Sequence, residues 1–366
     1  MDFVRKRLEN LRESNNFRLI PDVSSELIDF SSNDYLGLAE NDELRKEFFT
    51  AVDVERLVFS SSASRLLSKH QSPFNSFETL LQTLYGRGRK ALVFNSGYHA
   101  NVGILSSLGK NVVVLADKLV HASIIDGIKL GGGQFARFAH NDIASLERLL
   151  KKYSRCGLPM LIVVESVYSM DGDYAPIEEF VELKKLYPET YLYVDEAHAV
   201  GVEGQNGLGL AKDFDTDIIV GTLGKALAGQ GAFAICSPLM RDYLVNCARS
   251  FIFSTAIPPV NIAWNEFVFR KSLEMDAERS HLKNLGAQLS RVLKSSHSSH
   301  IQPLIIGDAA RALELSKLLK QVGISALAIR TPTVPAGTER LRFSLSASLT
   351  AKDVDELENA LQRFTL

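Results

Sequence analysis

The chain has 366 residues, 46% hydrophobic and 23% charged, the balance of an ordinary globular protein long enough for two or three compact units. Forty-one basic residues against 43 acidic ones give a net charge of -2, so no global field exists to hold nucleic acid or an anionic membrane. Cys156, Cys236 and Cys247 lack the paired short spacing of a zinc site or disulfide framework, and no metal is expected.

Taken in chain order, Leu8, Leu11 and Phe17 lie among charges in an amphipathic opening helix that breaks at Pro21, giving an arm over residues 1–40. This opening has no apolar core of the signal-peptide kind. The longest apolar runs are far below the ~20 residues that span a bilayer, so a cytoplasmic protein without membrane contact is expected. Residues 41–260 form the expected large domain. Within it, apolar β-branched runs at 91–94, 112–116, 161–165, 191–195, 218–221 and 232–236 alternate with helical patterns. That alternation predicts an α/β fold with a mostly parallel sheet covered by helices on both faces. One long helix is expected over 261–294 as a connector. Residues 295–366 read as a small α/β domain, with strands at 301–306 and 341–345 and helices at 309–321 and 354–363.

Three segments carry chemistry. The run 191–195 ends in Asp195, followed three residues later by His198. Ligand-facing groups collect at the carboxyl ends of strands in such sheets, although a solvated acid and a capping histidine fit the spacing equally well. The run 218–221 empties into Thr222 and Lys225 between small residues. A lysine in so apolar a setting is unusual. With a pKa near 10.4, only about 0.04% of a free lysine is neutral amine at pH 7, so nucleophilic use calls for a lowered pKa or a Schiff base already made with an aldehyde. A surface lysine on a first helical turn is the plainer alternative. Lastly, Ser96-Gly97-Tyr98 turns a strand into a helix whose exposed N–H groups favour a phosphate, and His121 either stacks on a flat ring or caps the next helix.

Together these segments resemble the fold-type I pyridoxal-phosphate enzymes, in which Asp-Glu-Ala-His is followed about 30 residues later by Thr-Leu-Gly-Lys. Further strings resemble the α-oxoamine synthases: Asn33 to Gly37, His121 to Ser123, Glu165 to Asp173, Phe253 to Pro259 and the C-terminal Arg342. The runs 138–142, 301–308 and 328–338 are similar to the members that make 8-amino-7-oxononanoate from L-alanine and a pimeloyl thioester.

The resemblance, which runs from about Leu8 to the end, implies a seven-stranded-type sheet, pyridoxal 5'-phosphate as cofactor, and an obligate homodimer. It implies that Lys225 holds the cofactor covalently, Asp195 pairs with the pyridinium nitrogen, His198 bonds the ring hydroxyl and His121 stacks on the ring. Gly97, Tyr98, Ser169 and Thr222 would line the phosphate and its surroundings, with Ser254 and Thr255 reaching the partner subunit's cofactor phosphate. Arg342 and Asn33 would receive the alanine carboxylate; Arg18, Arg330 and Thr333 would receive the polar end of the acyl group, carried on coenzyme A or acyl carrier protein. The chain departs from the family where Gly-Ser-Gly-x-Ser-Arg is replaced by Ser60-Ser61-Ser62-Ala63-Ser64-Arg65, at Ser68-Lys69, at Phe74-Asn75 and at Leu208. Serine enters the left-handed region less cheaply than glycine, so the serine loop is expected to be built differently. The rival readings are a sibling synthase using glycine or serine, and a non-catalytic homologue that serves as a subunit or sensor.

Overall fold

A computed structural model describes residues 1–20 and 27–364; Pro21 lies outside them. Contacts divide the chain into two units, one of residues 36–169 and 173–279, the other of residues 1–35, 170–172 and 280–366.

The larger unit is built on a seven-stranded sheet: β1 (Lys90–Phe94), β2 (Val113–Asp117), β3 (Phe135–Phe138), β4 (Met160–Glu165), β5 (Thr190–Asp195), β6 (Ile218–Thr222) and β7 (Ala232–Cys236). Their spatial order is β1-β7-β6-β5-β4-β2-β3. The neighbours from β6 through β3 are parallel, while β7 runs antiparallel to both β6 and β1. Strands β2, β4, β6 and β7 are buried at every position, as their unbroken apolar sequences require when both faces are covered. Within this sheet the strand not expected from the sequence is β3, at one edge, whose Phe-Ala-Arg-Phe pattern is largely open to solvent.

On one face Leu92, Val114, Val163 and Val220 pack with Ile104 of α2 (Gly97–Leu108) and with Ile124 and Ile128 of α3 (Ala122–Gly131). On the other, Tyr85 of α1 (Ser72–Tyr85) and Phe269 meet Phe233 edge-on, with ring centroids 5.8 and 6.0 Å apart. Helices α2 and α3 pack unusually close because Gly127 has no side chain: a Cβ there would stand 2.9 Å from the Asn101 carbonyl and 3.0 Å from Leu105 Cβ. That approach places Asn101 beside Ser123.

The stretch expected as one connecting helix is two, Pro259–Ser272 and Asp276–Leu293, interrupted at residues 273–275.

The serine loop reaches the backbone conformation that glycine would give. Ser62 has φ +50°, and its N–H donates to Ser60 Oγ at 3.1 Å, while Ser61 Oγ donates to the Ile257 carbonyl at 2.8 Å. Ser62 thus holds a left-handed φ that favours glycine, and a local hydrogen bond accompanies it. Two other departures converge on Arg65. Its guanidinium lies 4.3 Å from the centre of the Phe74 ring, donates to Asn75 Oδ1 at 3.4 Å and pairs with buried Glu78 at 3.2 Å. Leu208 is buried, and its carbonyl accepts from the Tyr85 hydroxyl at 3.0 Å.

In the smaller unit, Asp2–Glu13 is a helix without a buried residue. A three-stranded antiparallel sheet, in the order Leu327–Ile329, Arg340–Ser344, Ile301–Ile305, is accompanied by helices Ala309–Gln321 and Ala351–Phe364. Among the described residues no helix is long and apolar enough to cross a membrane.

Candidate active site

Parallel strands end on one edge, and the helices that follow begin there. Here β4 ends in Glu165, β5 in Asp195 and β6 in Thr222, with Glu165 and Asp195 in register on adjacent strands. Around them is a cavity of about 160 Å³, lined also by Gly97, Tyr98, Asn101, His121, Ser123, Ala197, His198 and Lys225. The larger unit thus brings Lys225, Asp195, His198, His121, Gly97, Tyr98 and Thr222 into one site.

Asp195 is 3% exposed. Its Oδ1 accepts from the Ala197 N–H at 2.9 Å and its Oδ2 from Asn101 Nδ2 at 2.7 Å. Lys225, three residues past the end of β6, extends its Nζ to 2.7 Å from Nε2 of buried His198, with the ammonium as donor. An amine, an imidazole and a fixed carboxylate thus share one small cavity.

Glu165 is buried as well. Its Oε2 accepts from the Ser169 N–H at 3.2 Å. Burial, followed by the nearby charge of Asp195, pushes this carboxyl up to about 8 against the opposing pull of Lys225. At the opposite end, α2 begins at Gly97 with Ser96 as its cap, the Ser96 hydroxyl accepting from the His99 N–H at 3.1 Å. The first N–H groups of such a helix have no intrahelical partner and suit an anion. A Cβ on Gly97 would stand 3.8 Å from Thr222 Oγ1, narrowing the gap between helix start and strand end. Tyr98 lines the cavity while its hydroxyl donates to Asp126 at 2.9 Å.

Three sequence-predicted cofactor residues do not line this cavity. Ser169 is buried against Glu165. Ser254 is half-buried and Thr255 exposed; Thr255 bridges to Ser64, and its carbonyl accepts from Asn95 at 2.6 Å. In the smaller unit, Arg342 is buried and donates to Ser344 Oγ at 2.6 Å and to Asn33 Oδ1 at 3.1 Å, so the two expected carboxylate ligands are together. Arg330 donates to the Asn15 carbonyl; burial first, and then the charge of Arg18, hold its guanidinium below the usual range. Thr333 is exposed, one turn past Arg330.

Residues 25–361 match the family model described as aminotransferase class I and II. The 8-amino-7-oxononanoate synthase of Haemophilus ducreyi is 44% identical over 384 residues, covering 98% of this chain and 99% of that protein. The chain belongs to the 8-amino-7-oxononanoate synthases. Among solved structures, serine palmitoyltransferase from S. paucimobilis superposes with a TM-score of 0.89 at 27% identity, covering 99% of this chain and 96% of that one. The 8-amino-7-oxononanoate synthase of Francisella tularensis gives a TM-score of 0.79 at 27% identity, with 93% and 98% covered. The fold is the fold-type I aminotransferase fold, the protein is an acyltransferase of that family, and its cofactor is pyridoxal 5'-phosphate. The donor set fits that cofactor: an amine for an aldehyde, a fixed carboxylate for a ring nitrogen, an imidazole for a ring hydroxyl, and a glycine-opened helix start for a phosphate.

Three polar lining residues, Asn101, Ser123 and Glu165, carry no role expected from the sequence. Asn101 was legible as the one amide among the largely apolar positions of α2, Ser123 as the polar end of the His121 turn, and Glu165 as an acid closing an apolar strand.

Proposed function

We propose that the protein condenses L-alanine with a pimeloyl thioester, releasing carbon dioxide and the thiol carrier and giving 8-amino-7-oxononanoate. The observation that carries the site assignment is the Lys225 amine, 2.7 Å from His198, in the cavity that Asp195 also lines. Bound there, the cofactor supplies an electron sink for the carbanion at the amino acid's α-carbon.

The chain's own residues do the rest. Lys225 would hold the cofactor through its Nζ, and its amine, when free, would remove the α-proton. Asp195 keeps the ring nitrogen protonated, since an opposite charge within ~4–6 Å raises that group's pKa by about 1–3 units. His198 donates to the ring hydroxyl, His121 covers the ring face, and Gly97, Tyr98, Ser169 and Thr222 surround the phosphate end. Arg342, oriented with Asn33, receives the alanine carboxylate through its planar fork, while Arg18, Arg330 and Thr333 receive the acyl substrate's polar end.

A homodimer is part of this reading, with Ser254 and Thr255 reaching the partner subunit's phosphate. Phe59 and Phe253, each 70% exposed, and Leu67, 76% exposed, supply apolar surface for it beside the Ser64–Thr255 bridge. The protein works in the cytoplasm.

The test is product identification by mass spectrometry with alanine, glycine or serine offered against pimeloyl-coenzyme A and pimeloyl-acyl carrier protein. Alanine with at least one pimeloyl donor is expected to give 8-amino-7-oxononanoate. Product only with glycine or serine would transfer the reading to a sibling synthase.

A further inference from the structure

We infer that Asn101 is a positioning residue whose single amide sets both the carboxylate of Asp195 and the imidazole of His121. The inference rests on the proposed placement of those two groups at the nitrogen and the face of the cofactor ring. Asn101 lies one helical turn past Gly97 on α2 and is 2% exposed. Its Nδ2 donates to Asp195 Oδ2 at 2.7 Å and to Ser123 Oγ at 2.9 Å, and its Oδ1 accepts from the Tyr193 hydroxyl at 2.5 Å. The three bonds admit one orientation of the amide. Turned over, its oxygen would face an anionic carboxylate.

The donor directions continue to His121. Ser123 Oγ, which accepts from Asn101 and has one proton to give, lies 2.7 Å from His121 Nδ1. The Ser123 N–H points at the same nitrogen from 3.2 Å. A ring nitrogen facing two donors is an acceptor, so a neutral His121 carries its proton on Nε2. Desolvation outweighs the pull of Asp195 and, helped by the charge of Lys225, holds the imidazole below its ordinary range, in keeping with a neutral ring. Asp195, bonded on both oxygens, is held in one rotamer. One buried amide therefore ties the electrostatic partner of the ring nitrogen to the stacking imidazole.

The test uses the full-length, cofactor-loaded protein with nitrogen-15-labelled histidine. His121 is expected as the Nε2–H tautomer in the parent. Ser123→Ala should move its Nδ1 resonance toward that of an unbonded ring nitrogen, because only the backbone N–H at that position then faces it. Asn101→Ala should shift the same resonance and also weaken cofactor binding about tenfold or more, the size of one charge-assisted hydrogen bond. Should Asn101→Ala fail to fold, Tyr193→Phe replaces it: loss of the donor that orients the amide is expected to weaken cofactor binding severalfold. An Nδ1–H tautomer in the parent, or cofactor binding unchanged in the Asn101 variant or its Tyr193 replacement, overturns the inference. Neither readout involves an amino acid or a thioester, so an error in the proposed substrates leaves both standing.

Discussion

Lys225 Nζ and His198 Nε2 lie 2.7 Å apart although the residues leave the sheet on different strands, His198 after β5 and Lys225 after β6. Neighbouring parallel strands deliver the amine and the imidazole to one spot, so each reports on the other. His198→Ala is expected to weaken cofactor binding about tenfold and to lower kcat while the protein still folds. Absorbance titration with the cofactor and steady-state kinetics check it, and unchanged binding would remove His198 from the site.

Arg342→Lys replaces a planar fork with a point charge. The KM for alanine should rise about ten- to a hundredfold, with kcat changed much less, because the contact is made alike in ground and transition states. Steady-state kinetics over a range of alanine concentrations separate the two parameters, and a fall in kcat alone would argue against a carboxylate-binding role.

Glu165 should reveal itself through the pH dependence of stability. Its folded pKa of about 8 lies above that of an exposed carboxyl, so the folded state holds a proton that the unfolded chain releases. Stability contributed by this group therefore falls as pH rises from about 4.5 to about 8 and is level beyond. Glu165→Gln removes that slope. Thermal melts of the two proteins should diverge in favour of the variant between pH 5 and 8; melts that stay parallel would show a carboxyl already ionised.

His140 has the opposite sign. Its ring lies 2.9 Å from Asp117 and 2.7 Å from Asp173. Burial opposes its charge, yet hydrogen bonds to the two carboxylates raise it to about 10. Because the folded pKa exceeds the unfolded value, its contribution is complete below about pH 6.5 and is lost as pH rises toward 10. His140→Leu should cost about 1–3 kcal/mol at pH 7 and little at pH 10.5, measured by denaturant unfolding at the two pH values.

Ser62, at φ +50°, invites a stabilising change. Ser62→Gly relieves left-handed strain of about 1–2 kcal/mol against the greater freedom of an unfolded glycine. A net gain of about 0.5–1 kcal/mol is expected in denaturant unfolding, and a loss would mean that its hydroxyl, 3.1 Å from Ser60 Oγ, matters more than its backbone.

Much of this was legible in the sequence because the central strands are apolar on both faces and end in the residues that do the chemistry. Asp195, Thr222 and Lys225 stand at or just past strand ends that apolar runs marked within a residue or two. The edge strand β3 escaped because solvent on its exposed side lets polar residues in. The break at residues 273–275 escaped because no proline or glycine marks it. Asn101 and Ser123 gained their meaning from a tertiary approach of two helices at Gly127, a relation between distant residues that periodicity along the chain does not carry.

The most direct measurement of the central claim is borohydride reduction of the cofactor-loaded protein followed by peptide mapping. The cofactor's mass is predicted on Lys225 alone, and a Lys225→Ala variant should carry no label and form no product. Label on another lysine, or product from the variant at the parent's rate, would contradict the account.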